Sequence, residues 1–290
     1  MTREEFAALS QETILLDGAT GSMLMEAGMP RGICTEHWVF SHKEVLHQIQ
    51  EAYIQAGSRI ICAPTFGANR ISLSMHGLED QIGILNKTLA AYAKETAQGR
   101  AFVAGDMTTS GKMMAPAGDL TYEKAYDMYC EQISLLAQGG VDLILAETMI
   151  NIEEALAAVD ACQNTCDLPI LCTMTVDADG SIFSGGNALE AAVSLEAAGA
   201  SAVGVNCSVG PDQLVSVIRT IREAVSIPVV AKPNAGMPFI DSQGRAVYDM
   251  TPQDFARHMK VLTQQGASII GGCCGTTPAF IKAVADLLEL

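Results

Sequence analysis

The sequence predicts an α/β fold, a single (β/α)8 TIM barrel occupying residues 1–290. Three observations carry that expectation. Eight short apolar runs alternate with eight stretches of helical period. A weak internal repeat joins a helix end, a glycine and an apolar run. The length of 290 residues suits one such barrel, and no linker, low-complexity tract or shift in composition divides it. A doubly wound open sheet is the alternative arrangement of the same elements.

The first strand is read in "TILLDGA" (13–19). The second, fourth, sixth and eighth belong to the repeat: "AGSRIICAP" (56–64), "GGVDLILAET" (139–148), "AGASAVGVNCS" (198–208) and "QGASIIGGCCG" (265–275). In each copy glycine ends a helical stretch. The apolar run that follows has the pattern of a parallel strand buried on both faces. The third strand is "AFVAGDM" (101–107). The fifth and seventh, "LPILCTMTV" (168–176) and "IPVVAKPNA" (227–235), open on proline, which a strand tolerates at its start. Helices are expected near 42–56, 78–98, 122–138, 151–163, 187–198, 211–224, 251–264 and 278–288. Three of them place proline in the first turn, in "SVGPDQL", "DMTPQDF" and "CGTTPAF".

Composition narrows the function. Hydrophobic residues make up 49% and charged residues 17%, which allows a large core. A net charge of −16, with 17 Lys and Arg, argues against nucleic-acid and anionic-membrane partners. The opening "MTREEFAALSQETILLDGATG" is acidic and has no signal-peptide core, and no run approaches the ~18 apolar residues of a membrane span. A cytoplasmic protein is expected. Nine cysteines, an odd number without a secretion signal, are expected to be reduced thiols. Cys62, Cys130, Cys162, Cys166 and Cys172 sit in apolar or helical surroundings and read as small core residues.

In a barrel, function sits at the C-terminal ends of the strands. There the chain turns polar: "LDGATG", "APTFGAN", "AGDMTTSG", "AETM", "VNCS", "KPNAGMP" and "GGCCGTTP". Cys207 is read at the end of the sixth strand, Cys273 and Cys274 at the end of the eighth. Three thiols at one rim make a soft site that suits Zn²⁺, with a fourth position open to substrate. The glycines around the pair allow both cysteines to turn inward. Asp17 and Glu147 follow apolar runs and are expected half-buried, able to bind a substrate ammonium group. Thr65 and Asn206 are weaker candidates that could simply satisfy loop backbone. Lys232 could form a Schiff base, but the proline after it favours a loop over the site, with Asn234 bonding a ligand. His37, beside Trp38, reads as a packed loop residue. Cys34 stands too far into a loop to be a fourth ligand.

These stretches carry a likeness. "LLDGATGSML", "APTFGANRISL", "LILAETM", "GVNCSVGP", "KPNAGMP" and "GGCCGTTP" together resemble the homocysteine S-methyltransferase family, from about residue 13 to residue 288. "PNAGMP" is most similar to the homocysteine module of cobalamin-dependent methionine synthase and less so to betaine–homocysteine methyltransferase. The resemblance implies a catalytic zinc on Cys207, Cys273 and Cys274, one per chain. It implies homocysteine as substrate, activated as a zinc thiolate and methylated to methionine, with Asp17 and Glu147 holding its amino group. It suggests that backbone near Thr65 and Phe66 receives the substrate carboxylate.

The sequence ends at Leu290, soon after the barrel is expected to close, without folate, cobalamin or reactivation modules. The methyl donor is therefore expected to be a methylcorrinoid on a separate protein. A sulfonium such as S-methylmethionine is the alternative, as is transfer to another thiol. A Schiff-base lyase acting through Lys232 and a non-catalytic zinc-binding scaffold are the remaining rivals. The loops 110–119 and 232–244 are expected to rim the mouth and to carry exposed Met and Pro.

Overall fold

The computed structural model describes residues 1–240 and 246–290. All eight expected strands form: β1 (Ile14–Leu15), β2 (Ile60–Cys62), β3 (Phe102–Met107), β4 (Leu143–Met149), β5 (Ile170–Met174), β6 (Ala202–Asn206), β7 (Val229–Lys232) and, after a hairpin of β8 (Pro238–Ile240) and β9 (Ala246–Tyr248), β10 (Ala267–Ile270). Parallel pairing runs in the order β1-β10-β7-β6-β5-β4-β3-β2. A parallel bridge between Leu16 and Ile60 closes the ring, with Arg59 N donating to Leu15 O at 2.8 Å. That closure selects the barrel over the open sheet.

The helices follow the repeat. Lys43–Gln55, Tyr122–Gln138, Ala188–Ala197 and Pro252–Gln264 each end just before a glycine of positive φ: Gly57 (109°), Gly140 (83°), Gly199 (95°) and Gly266 (106°). A side chain at these angles would be strained, so glycine turns the chain there at little cost. Two helices start later than expected: Ile82–Ala97 follows the 3-10 turn Glu79–Gln81, and the helix expected near 211–224 is likewise split. Pro211–Gln213 is a separate 3-10 turn, and the α-helix is Val215–Ala224. Gln213 N bonds back to Gly210 O, an i to i+3 pattern that tightens the start.

Period-two alternation sorts the strand residues. Leu15, Ile61, Val103, Ile144, Val203 and Ala231 face outward into the helix layer. Ile14, Leu16, Ile60, Ala104, Leu143, Leu145, Leu171, Val230 and Ile269 fill the barrel interior. Two residues further along each strand the inward set becomes polar or small: Cys62, Asp106, Glu147, Thr173, Asn206, Lys232 and Gly271. The site is thus the top layer of the barrel.

The other end is closed by a helix the periodicity did not announce, Arg3–Leu9. Thr2 and Glu5 form a capping box at its start, a signal present in the sequence. Phe6, 1% exposed, packs into the interior cluster as a plug. Phe6→Ala is expected to destabilise the protein by about 3–5 kcal/mol in denaturant titration. Further short helices, Thr20–Glu26, Thr35–Phe40 and Arg70–Ser74, lie outside the helical stretches expected from the sequence. Among the described residues no helix is long and apolar enough to cross a membrane.

Candidate metal centre and substrate site

The three rim cysteines lie just beyond their strands rather than at their last residues. β6 ends at Asn206 and β10 at Ile270, and two glycines then carry the chain to Cys273. A Cβ on Gly271 would stand 2.7 Å from Leu16 Cβ, and one on Gly272 would stand 2.3 Å from Thr276 Oγ1. Only glycine lets the backbone pass so close. Because β7 lies between β6 and β10, its loop pins both cysteine segments. Cys207 N donates to Lys232 O at 3.1 Å, Cys273 N to Pro233 O at 2.8 Å, and Ala235 N to Cys274 O at 2.9 Å.

The result is a convergent trio. The sulfurs of Cys207, Cys273 and Cys274 all lie within 4.8 Å of one another, and Cys207 Sγ is 3.4 Å from Cys274 Sγ. Three ligands on one tetrahedral zinc, each about 2.3 Å from it, stand roughly 3.8 Å apart. The spacing and the soft donor set fit that ion. Hydrogen bonds from Cys207 and then Cys273 hold the Cys274 thiol down to about 3. Its hydrogen bonds to Cys207 and Cys274, together with burial, push Cys273 well above the ordinary thiol range.

Two residues here have left-handed backbone although neither is glycine: Cys207 (φ 49°) and Thr148 (φ 61°). Such strain persists only where the surroundings enforce it. Asn206 supplies part of that enforcement. Its Oδ1 accepts from Thr148 N and from Thr173 Oγ1, each at 2.7 Å, and its Nδ2 donates to Thr148 Oγ1 at 2.9 Å. Nδ2 also reaches Cys273 Sγ at 3.9 Å. Its side chain serves the protein's own site geometry.

Next to the thiols lies a charged layer. Asp17 and Glu147 are 1% and 7% exposed, so they are fully buried rather than half-buried as the sequence suggested. β4 runs two residues past Glu147, whereas Asp17 lies two residues beyond the end of β1, and both are covered. Asp17 accepts from Cys62 N at 2.7 Å and from Cys62 Sγ at 3.3 Å. Glu147 Oε2 accepts from Lys232 Nζ at 2.5 Å. Burial raises the Asp17 carboxyl above its ordinary range, although Lys232 and the Cys62 amide oppose the shift. Burial works against the Lys232 charge, but the acidic groups around it outweigh that and hold it well above its usual value.

Sequence reasoning missed two members of this layer. Asp106 was quoted within "AGDMTTSG" but not singled out, and Cys62 was read as inert core. Strand alternation carried past the aliphatic residues would have found both. Lys232, weighed as a Schiff-base former, is an ion-pair partner of Glu147.

The remaining candidates sit around this layer. Thr65 is buried, its Oγ1 donating to Asp106 O at 2.7 Å and its amide to Ala63 O at 2.8 Å. Gly67 N donates to Glu36 Oε1 at 2.6 Å. Phe66 N, between them, has no protein acceptor among the described residues, and its ring is partly exposed. Asn234 is buried with Oδ1 unpaired. Cys34 lies apart from the trio and donates to Glu36 Oε2 at 3.3 Å. His37 is exposed on the helix Thr35–Phe40, not packed in a loop, because that helix turns it to solvent.

Residues 14–288 match the family profile described as homocysteine S-methyltransferase. The chain belongs to the homocysteine S-methyltransferase family. Its relatives include methionine synthase of Mycobacterium tuberculosis, 30% identical over 96% of this chain and 25% of that protein. Methionine synthase of Mycobacterium leprae is 29% identical over 96% of this chain and 24% of that protein. The chain thus spans about a quarter of these relatives. The homocysteine methyltransferase MmuM of Escherichia coli, in its metallated form, superposes with a TM-score of 0.79 at 20% identity, over 95% of this chain and 96% of that one. At that identity the match bears on the fold, and it agrees with the barrel found here.

Proposed function

We propose that this chain is a zinc-dependent homocysteine methyltransferase acting in the cytoplasm, and that it forms methionine. The observation that carries the reading is the convergence of Cys207, Cys273 and Cys274 directly above a buried layer of carboxylates. Membership of the family supports the substrate.

A free thiol has a pKa of about 8.5 and is mostly protonated at neutral pH. Zinc held by the three cysteines would supply Lewis acidity that lowers the pKa of a bound thiol. The protein's part is positioning. Asp17 and Glu147 surround the substrate ammonium group with negative charge, and Phe66 N offers a donor to the carboxylate. Asn234 Oδ1 is a buried, unpaired acceptor on the segment that holds the cysteines. The homocysteine sulfur forms the new S–CH3 bond while the bond from methyl to its carrier breaks. The carrier keeps that electron pair, and the thiol proton passes to water.

The donor we favour is a methylcorrinoid presented by a separate protein. Apolar side chains stand exposed between the barrel strands and the helices that follow them: Phe66, Met113 at 66%, Phe183 at 92%, Met237 and, on β8, Phe239. Met113 and Met237 belong to the two loops expected to carry such residues. The second loop extends into 241–245, outside the described residues. Soft, adaptable side chains of this kind suit docking of a partner surface.

Methionine formation compared across methylcobalamin, a methylcorrinoid protein, S-methylmethionine, S-adenosylmethionine and betaine tests the reading. The corrinoid protein is expected to be the fastest donor. Rapid transfer from S-methylmethionine with none from either corrinoid would make the chain a sulfonium-dependent enzyme instead. Separately, Glu147→Gln removes a buried negative charge beside the ammonium group and is expected to weaken homocysteine binding about tenfold while zinc content stays near one per chain. Calorimetric titration beside metal analysis checks this.

A further inference from the structure

Asp106 ends the inward face of β3, 7% exposed. Among the described residues its carboxylate has no hydrogen-bond partner, and Oδ1 is sealed from solvent. Its neighbours in the layer differ. Asp17 holds the Cys62 amide and thiol, and Glu147 holds Lys232. Lys232 is not within ion-pair distance of Asp106. The strand end itself is secured, since Asp106 O accepts from Thr65 Oγ1 at 2.7 Å. The backbone is therefore fixed while the carboxyl group stands without a partner.

A buried carboxylate without a donor is costly, and native proteins leave few of them. The charge balance says what is missing. Glu147, Lys232, Asp17 and Glu36 act on Asp106 through space, and Lys232 alone among them is a cation. Three carboxylates of the layer, Asp17, Asp106 and Glu147, thus share one lysine. The missing partner is a cation carrying N–H donors.

We propose that Asp106 is the principal acceptor for the substrate's α-ammonium group, and that it makes the site prefer an α-amino thiol over a thiol acid lacking the amine. This rests on the homocysteine reading above and adds a specificity-determining residue to it. Asp17 and Glu147 then contribute field, each already engaged within the protein, and Asp106 contributes the direct bond.

Equilibrium dialysis of the zinc-loaded full chain against homocysteine and 4-sulfanylbutanoate, its des-amino counterpart, tests the assignment. The wild type is expected to prefer homocysteine by at least about tenfold. Asp106→Asn is expected to lose about 10- to 100-fold for homocysteine and to keep its affinity for 4-sulfanylbutanoate within about twofold. Asp106→Ser is expected to show the same pattern and serves if the Asn variant does not accumulate as zinc-loaded protein. A variant that keeps the wild-type preference overturns the role of Asp106 and leaves the homocysteine reading intact. Equal loss of both thiols also overturns it, as a structural effect. A wild type that binds neither thiol, or both alike, overturns the substrate reading and this assignment with it.

Discussion

Replacing Cys273 and Cys274 together with alanine is expected to abolish tight zinc binding and, with it, methyl transfer. The two thiols are two thirds of the converged donor set, and among the described residues no other group joins it. Cys34 lies outside the trio, and Cys62 is engaged with Asp17 one layer below. Loss of groups that merely orient metal ligands costs about 10–100-fold in affinity. Loss of two ligands should exceed that range and reduce metal content by elemental analysis to background. Cys207→Ala is expected to behave alike. Asn206→Ala, which removes the contact to Cys273 and frees Thr148, is expected to fall within that orienting range. Chelation of the wild type should remove activity and added zinc should restore it. Stoichiometric zinc retained by the double variant would move the metal centre elsewhere.

The next largest effect is expected from Lys232→Met. The lysine and Glu147 are 3% and 9% exposed in their side chains and stand 2.5 Å apart. Removing one member of a buried ion pair strands the other, at about 3–5 kcal/mol. The cost is raised here because Asp17 and Asp106 also lose their only nearby cation among the described residues. Methionine preserves the stem's packing, so charge is what changes.

The sign with pH follows from the groups involved. Burial raises Asp17 and Asp106 above the ordinary carboxylate range, so the folded protein takes up protons before the unfolded chain does. As pH falls toward the carboxylate range, stranded charge in the variant is neutralised and its deficit should shrink. In the wild type Lys232 lies above its ordinary value. Its stabilising contribution is full below the unfolded lysine pKa of about 10.4 and fades as pH rises through the folded value. Denaturant midpoints from pH 5 to pH 8 measure this. A deficit that does not change with pH would mean the loss is packing alone.

Much of this was legible in the chain. Four glycines following helical stretches marked four strand starts, because only a residue without Cβ turns there freely. Apolar runs of strand length, alternating with helices, specified a parallel sheet buried on both faces. The rule that barrel chemistry sits beyond the strand ends then picked out Cys207, Cys273 and Cys274. All of these signals are local, and local pattern survives in a linear sequence. The capping box of Thr2 and Glu5 was equally local, yet a seven-residue helix has too few turns to show a periodic face.

What the sequence by itself determined is the element order, the closed barrel as the favoured arrangement, and the residues that could meet at its mouth. Only the tertiary structure decided how they are partnered. Whether Asp17, Asp106 and Glu147 are exposed or sealed depends on how far each strand runs under its loops. Which of them receives Lys232 depends on four separate strands converging. The Lys232–Glu147 ion pair is made across 85 residues of chain and the Cys62–Asp17 bonds across 45. Their energies depend on distances of a few ångströms and on exclusion of water. Neither quantity is written in the spacing of residues along a chain, which is why Asp106 is set apart only by its missing partner in the fold.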